Sequence, residues 1–285
     1  MSERIAWLNG QFLAERDAHV SIFDRGLLFG DGVYDVATVL QGQLLDADYH
    51  LARLDRSCAA IGLKNPHSVA EWTEMMQELL KRTGVTEGLV YLQVTRGAAE
   101  RDFAFPSGVA PTAFAYTRSK PLLNDPNVNG VRVVTTPDIR WARRDIKSTA
   151  LLAPVLAKQF AREHNAFEAF LVENGVVTEG ASCNAFLVHD NTVITQPLTH
   201  SILAGVTRHM VLDIAESAGI AFEQRGFTVQ EALNADELFL SSATNFVLPV
   251  VNLDGHAIAN GSPGEITRKL RALYVKRALE LTAGR

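Results

Sequence analysis

Residues 145–152 read Asp-Ile-Lys-Ser-Thr-Ala-Leu-Leu and place Lys147 between a strand-like segment and an apolar helix. Ile146 on one side and small residues on the other predict that this lysine is partly withdrawn from water. Desolvation favours the neutral amine of a lysine, which attacks carbonyl groups. Taken alone, the segment also fits a solvated lysine at the start of a helix.

Hydrophobic periodicity on both sides of Lys147 alternates between the repeat of strands and that of helices. The dipeptide Asn9-Gly10 favours a tight hairpin turn between the first two strands. Strands are predicted at residues 5–8, 11–13, 33–40, 43–45, 88–95, 112–117, 131–136, 167–172, 184–188, 237–241 and 246–252. Helices are predicted at residues 50–61, 69–81, 150–164, 206–218 and 265–281.

The order of these elements predicts two domains of the α/β class, in its wider α+β sense. Residues 119–126 carry two prolines, an asparagine and an aspartate without periodicity, which is typical of a linker. We therefore expect a small N-terminal α+β domain at residues 1–118, a linker at 119–130 and a larger C-terminal domain at 131–285. A ligand is expected in the cleft between the two domains.

The composition excludes several classes of protein. The 285 residues are 47% hydrophobic and carry a net charge of −5. We therefore expect no basic surface that would bind nucleic acid and no apolar segment long enough to span a membrane. No apolar targeting segment follows Met1. The two distant cysteines, Cys58 and Cys183, are expected to be inert thiols, with a disulfide between them left open. These features predict a soluble, cytoplasmic enzyme or small-molecule binder.

A second segment that could carry chemistry lies at residues 177–184, after the turn at Asn174-Gly175. It places Glu179 beside Gly180 and a run of small residues, which allow a flat ligand to approach closely. A carboxylate opposite a pyridine nitrogen would keep that nitrogen protonated and strengthen the ring as an electron sink. The alternative is an exposed glutamate at the end of a hairpin.

A third segment contains Gly205, followed by Val206 and Thr207 at the predicted start of a helix. The free N–H groups of a helix start bind phosphate well. Residues 241–244, Ser-Ser-Ala-Thr, could add hydroxyl or amide donors. An ordinary helix cap and a plain exit from a strand explain these two segments equally well.

A fourth segment, residues 24–34, contains three glycines in seven positions and ends in a strand with Tyr34 at its mouth. Because a strand rather than a helix follows, the glycines are not a dinucleotide-binding fingerprint. Arg53, on an early helix, is either a solvated surface residue or a phosphate ligand that presents a planar fork to two oxygens.

Together these segments resemble the fold-type IV enzymes that depend on pyridoxal 5′-phosphate (PLP), and the D-amino-acid aminotransferase branch fits best. The family also contains branched-chain aminotransferases, (R)-selective amine aminotransferases and aminodeoxychorismate lyases. The resemblance implies a barrel-like mixed sheet in the larger domain, PLP in the interdomain cleft and a homodimer. Motifs similar to those of the family follow in its order at residues 24–34, 50–53, 91–97, 145–148, 155–159, 178–180, 182–184 and 205–208.

The resemblance also implies a role for each matched residue. Lys147 would bond PLP and shuttle the proton of the substrate α-carbon, and Glu179 would pair with the pyridine nitrogen. Tyr34 would lie near the substrate carboxylate. No metal is expected. The ring and phosphate of PLP would be held by Arg53, Leu203, Val206, Thr207, Ser242, Ala243 and Thr244, with Ala243 in place of a hydroxyl residue sometimes found there.

The loop after the strand at residues 88–95 departs from the D-amino-acid aminotransferase pattern. That branch typically shows Arg-x-His there, whereas this chain keeps Arg101 and has Phe103 where the histidine would be. A phenyl ring donates no hydrogen bond, so a contact to the substrate carboxylate worth about 1.5–3 kcal/mol is lost. Asp35 also stands where a glutamate is usual. Both changes leave the family assignment intact and make the substrate assignment less specific.

We therefore expect ping-pong transfer of the amino group of a D-amino acid such as D-alanine to 2-oxoglutarate or pyruvate. Two alternatives within the family are an (R)-selective amine aminotransferase, suggested by Phe103, and an aminodeoxychorismate lyase. An alternative of another class is a PLP-binding protein without turnover.

Overall fold

The computed structural model describes residues 4–283, which divide into two compact units. The first unit contains the chain up to Pro121, the segment Ile146–Leu151 and the chain from Leu279. The second contains Leu122–Asp145 and Leu152–Ala278. Lys147 therefore packs with the first unit, although it lies beyond the predicted linker in the sequence.

The first unit is built on one antiparallel sheet. Its strands are β1 (Ile5–Leu8), β2 (Gln11–Ala14), β3 (Gly32–Leu40), β4 (Gln43–Leu45), β5 (Gly88–Thr95) and β6 (Thr112–Ser119), in the order β2-β1-β6-β5-β3-β4. Asn9 and Gly10 have φ values of 46° and 92°, as a tight turn between β1 and β2 requires. The predicted hairpin is confirmed.

Helices cover one face of this sheet. They are α2 (Ala47–Ala60) and α3 (Val69–Thr83), preceded by the one-turn helix α1 (Arg25–Phe29) and the 3₁₀ helix Glu15–Asp17. A reciprocal cap starts α3, because the Ser68 hydroxyl accepts from the Glu71 N–H and the Glu71 carboxylate accepts from the Ser68 N–H. The core between the helices and the sheet contains Leu54, Trp72 and Met76, all fully buried.

The second unit is built on a mixed sheet that curls into a half-barrel. Its order is β12-β11-β10-β14-β15-β7-β8-β9-β13, with β16 paired to β15, and β7 runs parallel to both of its neighbours. The predicted mixed fold class is confirmed. The strands are β7 (Val131–Pro137), β8 (Glu168–Glu173), β9 (Val176–Gly180), β10 (Asn184–His189), β11 (Thr192–Thr195), β12 (Phe222–Gln224), β13 (Phe227–Thr228), β14 (Glu237–Ser242), β15 (Phe246–Leu253) and β16 (His256–Ala257).

Four helices belong to the same half of the chain: α4 (Leu152–Glu163), α5 (Val206–Ser217), α6 (Val229–Leu233) and α7 (Glu265–Thr282), after the 3₁₀ helix Pro126–Asn129. The parallel strands β7 and β8 require a crossover between them, and α4 supplies it. Within residues 4–283, no helix has the length and apolar character needed to cross a membrane.

Both cysteines are unbonded thiols buried in the protein, which answers the question that the sequence left open. Cys58 lies in α2 and in the core of the first unit, and Cys183 belongs to the core of the second. Burial, assisted by Asp55, raises the pKa of the Cys58 thiol to about 12. Burial also raises the pKa of Cys183 well above its ordinary value.

Candidate active site

In the first unit, the amine of Lys147 lies against Tyr34. It donates a hydrogen bond to the Tyr34 hydroxyl at 3.3 Å and sits 4.3 Å from the centre of the ring. The backbone around it is fixed, because the Tyr34 N–H donates to the Lys147 carbonyl at 2.9 Å and the Lys147 N–H donates to Ser57 Oγ at 3.3 Å. Lys147 is half-buried and precedes α4 by several residues, so the alternative of a solvated lysine at a helix start does not hold.

Tyr34 is itself held by a stack of aromatic rings. Its ring lies 5.5 Å from that of Tyr91, and the Tyr91 ring in turn lies 4.9 Å from that of Tyr116, with nearly parallel planes in both pairs. The Tyr91 hydroxyl donates to Gln93 at 2.8 Å, and burial raises the pKa of this hydroxyl. The stack therefore limits the positions that Tyr34 can adopt beside the Lys147 amine.

The glycines of the fourth segment allow the Lys147 segment to lie close to β3. A Cβ atom on Gly30 would come within 3.4 Å of the Ala150 backbone, and Gly30 adopts a left-handed φ of 66° at the end of α1. Thr149 Oγ1 donates to the carbonyls of Gly30 and Gly32 at 3.0 and 3.2 Å. These contacts clamp residues 147–150 to the strand that carries Tyr34.

Arg53 lies in α2 and pairs with Asp35 of β3, the residue that replaces the usual glutamate. Arg53 Nε and Nη2 each donate to the Asp35 carboxylate at 2.8 Å, and His50 Nδ1 lies 2.8 Å from the same group. Burial raises the pKa of Asp35, but Arg53 and His50 outweigh it and hold that pKa well below its ordinary value. Arg53 is thus a buried residue with a fixed guanidinium, not a solvated surface residue.

Arg101 and Phe103 lie side by side on an exposed loop of the first unit. The Arg101 guanidinium is 5.5 Å from the Phe103 ring and 5.3 Å from the Phe29 ring. Arg25 anchors the loop, because its guanidinium donates to the carbonyls of Asp102 and Phe103 at 2.5 and 3.3 Å. Phe103 is 77% exposed, so its ring is presented at the surface of the described chain.

In the second unit, Glu179 ends β9 and is only 4% exposed. Its carboxylate accepts hydrogen bonds from Arg140 Nη1 at 2.5 Å, Asn184 Nδ2 at 3.0 Å and the Leu203 N–H at 3.2 Å. These donors favour the ionised form of a carboxyl group. The alternative of an exposed glutamate at a hairpin end does not fit this burial.

Asn184 connects Glu179 to the predicted phosphate-binding segments. Its Nδ2 also donates to the Leu203 carbonyl at 3.0 Å, and a Cβ atom on Gly205 would come within 2.0 Å of its Oδ1. Asn184 is paired across the sheet with Ser241 of β14, so their side chains point to the same face. The structure thus brings Glu179, Leu203, Gly205 and Ser241 around one asparagine.

The same region offers donors that suit an anionic group. No side chain caps the N-terminus of α5, where Val206 and Thr207 provide N–H groups without an acceptor inside the helix. The buried hydroxyls of Ser241 and Ser242 find no hydrogen-bond partner within the described protein. A helix start and two hydroxyls of this kind fit a phosphate. Ala243 and Thr244 follow β14 directly and are half-buried.

Arg140 and Asp138 are the main residues of the site that the sequence did not indicate. Both lie just after β7, and Arg140 joins Asp138 to Glu179. Polar residues that follow the carboxyl end of a parallel strand often line a ligand site in α/β proteins. That signal was present in the segment Asp-Ile-Arg at residues 138–140.

Comparison with known proteins adds independent information. The family model for amino-transferase class IV matches residues 32–253. A D-alanine aminotransferase of Bacillus licheniformis is 41% identical over 275 residues, covering 96% of this chain and 97% of the relative. A D-alanine aminotransferase of Staphylococcus aureus (strain N315) is 43% identical over 271 residues, covering 95% of this chain and 96% of the relative.

Solved structures share the fold. A branched-chain aminotransferase from Thermoproteus uzoniensis with norvaline has a TM-score of 0.86 and 26% identity, covering 98% of this chain and 96% of that chain. A branched-chain amino acid aminotransferase solved with pyridoxamine 5′-phosphate has a TM-score of 0.90 at 23% identity, covering 98% of this chain and 95% of that chain. At this sequence identity, the similarity to the second structure shows a shared fold and nothing about function.

Proposed function

The chain belongs to the class IV aminotransferase family, and from that premise we propose that it transfers the amino group of a D-amino acid such as D-alanine to a 2-oxo acid. The observation that carries the proposal is the 41–43% identity to D-alanine aminotransferases over nearly the whole chain. The family membership confirms the resemblance seen in the sequence and makes the protein a PLP-dependent aminotransferase.

The residues present fit PLP. Bound PLP supplies an aldehyde that condenses with amines and a pyridine ring that accepts electrons from the substrate α-carbon. Lys147 offers a half-buried amine, Glu179 a buried acid held by three hydrogen-bond donors, and the uncapped start of α5 a place for phosphate. These three groups match the aldehyde, the ring nitrogen and the phosphate of the cofactor, respectively.

We assign Lys147 as the residue that bonds the cofactor and, once released by the amino donor, takes the proton from the substrate α-carbon. The Tyr34 hydroxyl, 3.3 Å from the amine, orients Nζ during this transfer. A positioned amine contributes to such a step about 10²- to 10⁴-fold in rate. Lys147 would then hand this proton on, and water would release the donor as a 2-oxo acid while its amino group stays with the cofactor. In the second half-reaction Lys147 would move the proton in the opposite direction as a second 2-oxo acid takes up the amino group.

The remaining residues hold the cofactor and select the substrate. Glu179 pairs with the ring nitrogen, and Asn184 and the Leu203 N–H fix the direction of its carboxylate. Tyr34, Arg101 and Phe103 are the proposed substrate-binding residues. The phosphate and ring are held by Arg53, Leu203, Val206, Thr207, Ser242, Ala243 and Thr244.

The assembly and location are also part of the proposal. The family resemblance supports a homodimer that binds amino donors and 2-oxo acids as its small-molecule partners. The free thiols of Cys58 and Cys183 are typical of a reducing compartment and support the cytoplasm.

One observation favours a second candidate, an (R)-selective amine aminotransferase. Phe103 stands in place of the histidine and its exposed ring can pack against an apolar substituent instead of a carboxylate. An amine without a carboxylate would then lose no hydrogen bond at this position. The two candidates differ only in substrate, not in the roles of Lys147 and Glu179.

The deciding experiment is a substrate panel. D-amino acids, L-branched amino acids and (R)-1-phenylethylamine are each tested with 2-oxoglutarate and with pyruvate. The proposal expects activity on D-amino acids and parallel lines in double-reciprocal plots, as a ping-pong mechanism demands. Activity on L-branched amino acids alone would refute it, and pyruvate made from aminodeoxychorismate without an acceptor would indicate a lyase.

The role of Lys147 is tested separately from turnover. Borohydride should fix the cofactor to the wild-type protein and not to Lys147→Ala. Exchange of the α-hydrogen of D-alanine in deuterated water should disappear in the same variant. A wild-type protein that binds PLP but catalyses no exchange would instead be the non-catalytic PLP-binding protein.

A further inference from the structure

We propose that Arg140 is a positioning residue that keeps the Glu179 carboxylate ionised and aimed, so that the proton shared with the cofactor's ring nitrogen stays on the nitrogen. This inference rests on the proposed pairing of Glu179 with PLP. It assigns a chemical task to a residue that lies outside the motifs of the sequence.

The geometry of Arg140 divides its guanidinium between two acids. Nη1 donates to Glu179 at 2.5 Å, while Nε and Nη2 donate to the two oxygens of Asp138 at 2.9 and 2.7 Å. A bidentate pair of this kind fixes the plane of the guanidinium. With that plane fixed, the third nitrogen is directed at one oxygen of Glu179 and holds it in place.

Asp138 is in turn anchored by its surroundings. Its side chain is fully buried, its carboxylate accepts from Thr178 Oγ1 at 2.8 Å, and its N–H donates to the Val172 carbonyl at 2.8 Å. Arg144 adds a second positive charge 3.5 Å away and is paired on its other side with Glu173. Charges therefore alternate from the partly exposed Glu173 into a largely buried row, formed by Arg144, Asp138 and Arg140, that ends at Glu179.

The burial of this row makes each charge depend on its neighbour. An unpaired carboxylate in an apolar environment tends to take up a proton, whereas a guanidinium at hydrogen-bond distance favours the ionised form. Burial lowers the pKa of Arg140, but Asp138 and Glu179 outweigh this and raise it. Arg140 therefore keeps its charge throughout the range in which the enzyme works.

The same charge acts on both ends of the bond between Glu179 and the ring nitrogen, but unequally. Arg140 contacts Glu179 directly, and a ring nitrogen paired with Glu179 would be the more distant of the two groups. The guanidinium therefore lowers the basicity of both groups, and it lowers that of Glu179 more than that of the nitrogen. The proton then prefers the nitrogen, which is the form that withdraws electrons from the substrate.

The test measures the ring nitrogen itself. Wild type, Arg140→Gln and Arg140→Lys are loaded with ¹⁵N-labelled PLP, and the ¹⁵N chemical shift is followed across the neutral pH range without substrate. Wild type and Arg140→Lys should show a protonated ring nitrogen. In Arg140→Gln the proton should pass to Glu179, so the ¹⁵N shift at neutral pH should move toward that of an unprotonated ring nitrogen. The ratio of protonated to unprotonated nitrogen should fall by about 10-fold or more, because an adjacent opposite charge lowers the pKa of a carboxyl group by about 1–3 units.

Two controls separate positioning from folding. Arg271→Gln removes a half-buried guanidinium of the second unit, one that donates to the carbonyls of Asn245 and Val247, and should leave the nitrogen signal unchanged. In the Glu179→Gln background Arg140→Gln should no longer shift the proton away from the nitrogen, because no acid is left to take it up.

An unchanged share of protonated ring nitrogen in Arg140→Gln would overturn the proposal. If Arg140→Gln does not fold, the result for Arg140→Lys is decisive. An unprotonated ring nitrogen in Arg140→Lys would also overturn the proposal. Because the signal needs bound cofactor but no turnover, it also distinguishes this inference from the proposed function. A protein that binds PLP and is inactive on every substrate would contradict the function alone.

Discussion

The Lys147 amine lies 4.3 Å from the centre of the Tyr34 ring and donates to its hydroxyl at 3.3 Å. The ring face is negative and the hydroxyl oxygen is an acceptor, so both parts of Tyr34 attract the same amine. The two residues are 113 positions apart in sequence. Their contact gives the proposed nucleophile a defined direction before any substrate is bound.

Replacement of Tyr34 by phenylalanine separates these two attractions. Tyr34→Phe keeps the ring and removes the hydroxyl, so we expect kcat to fall by about 2- to 10-fold, the effect of one hydrogen bond that positions the amine. Steady-state kinetics with a D-amino acid measure this. Tyr116→Phe is the matched control, since its ring is in the same stack but its hydroxyl does not contact the amine, and an equal loss there would argue against the contact.

Restoration of the missing donor tests the substrate loop. Phe103→His should raise kcat/KM for D-alanine by about 10- to 150-fold, the equivalent of 1.5–3 kcal/mol for a hydrogen bond to a carboxylate. It should also lower activity on (R)-1-phenylethylamine. Phe103→Leu, which is apolar without a donor, should give no gain with D-alanine. A parallel gain in both variants would mean that Phe103 acts only by its size.

Loss of the buried acid beside Arg53 should destabilise the first unit. Asp35→Asn leaves the Arg53 guanidinium without its bidentate partner, and breaking a buried pair in this way costs about 3–5 kcal/mol. Denaturant unfolding measures the change. Glu78→Gln removes an exposed partner of Arg82 and should cost no more than about 1 kcal/mol. Similar losses in the two variants would contradict the prediction.

The same pair predicts how stability depends on acid. The pKa of Asp35 is lower in the folded protein than its ordinary value of 3.8, so the unfolded chain binds the proton first. The stabilisation is complete above pH 3.8 and is lost as the pH falls toward the folded pKa. Wild type should therefore lose stability more steeply below that pH than Asp35→Asn, and equal slopes would contradict the assignment.

A methyl group at Gly205 should disturb the cofactor site from within. In Gly205→Ala the new Cβ would lie 2.0 Å from Asn184 Oδ1, which must shift and so weaken its bond to Glu179. We expect a loss of about 1–3 kcal/mol in unfolding free energy and weaker PLP binding. In an Asn184→Ala background the same substitution should cost much less. Additive effects of the two changes would show that the clash is relieved elsewhere.

The sequence predicted most elements because their signals are local. Helix α3 begins where the sequence places it and extends two residues further, since its apolar face and its first residues agree. Helix α1 was missed, because five residues with a glycine leave no periodicity. Helix α2 begins at Ala47 rather than residue 50, after Asp46 adopts a left-handed φ of 54°. The linker at residues 119–130 stays a prediction.

The site shows the same division between local and distant signals. Lys147 and Glu179 could be recognised from their neighbours along the chain. Arg140 could not be assigned to Glu179, 39 positions away, because only the folded sheet joins them. The sequence also treated Asp35 as a shorter side chain in a strand, and its partner Arg53 comes from a helix 18 positions later.

The two buried thiols can report local unfolding of the two hydrophobic cores. Cys58 belongs to the first unit and Cys183 to the second, and neither is available to a reagent while its core is intact. A thiol-specific label in excess should therefore react only with molecules in which one core has come apart. Peptide mapping of the labelled cysteine would then show which of the two cores unfolds first on warming, without any engineered probe in the protein.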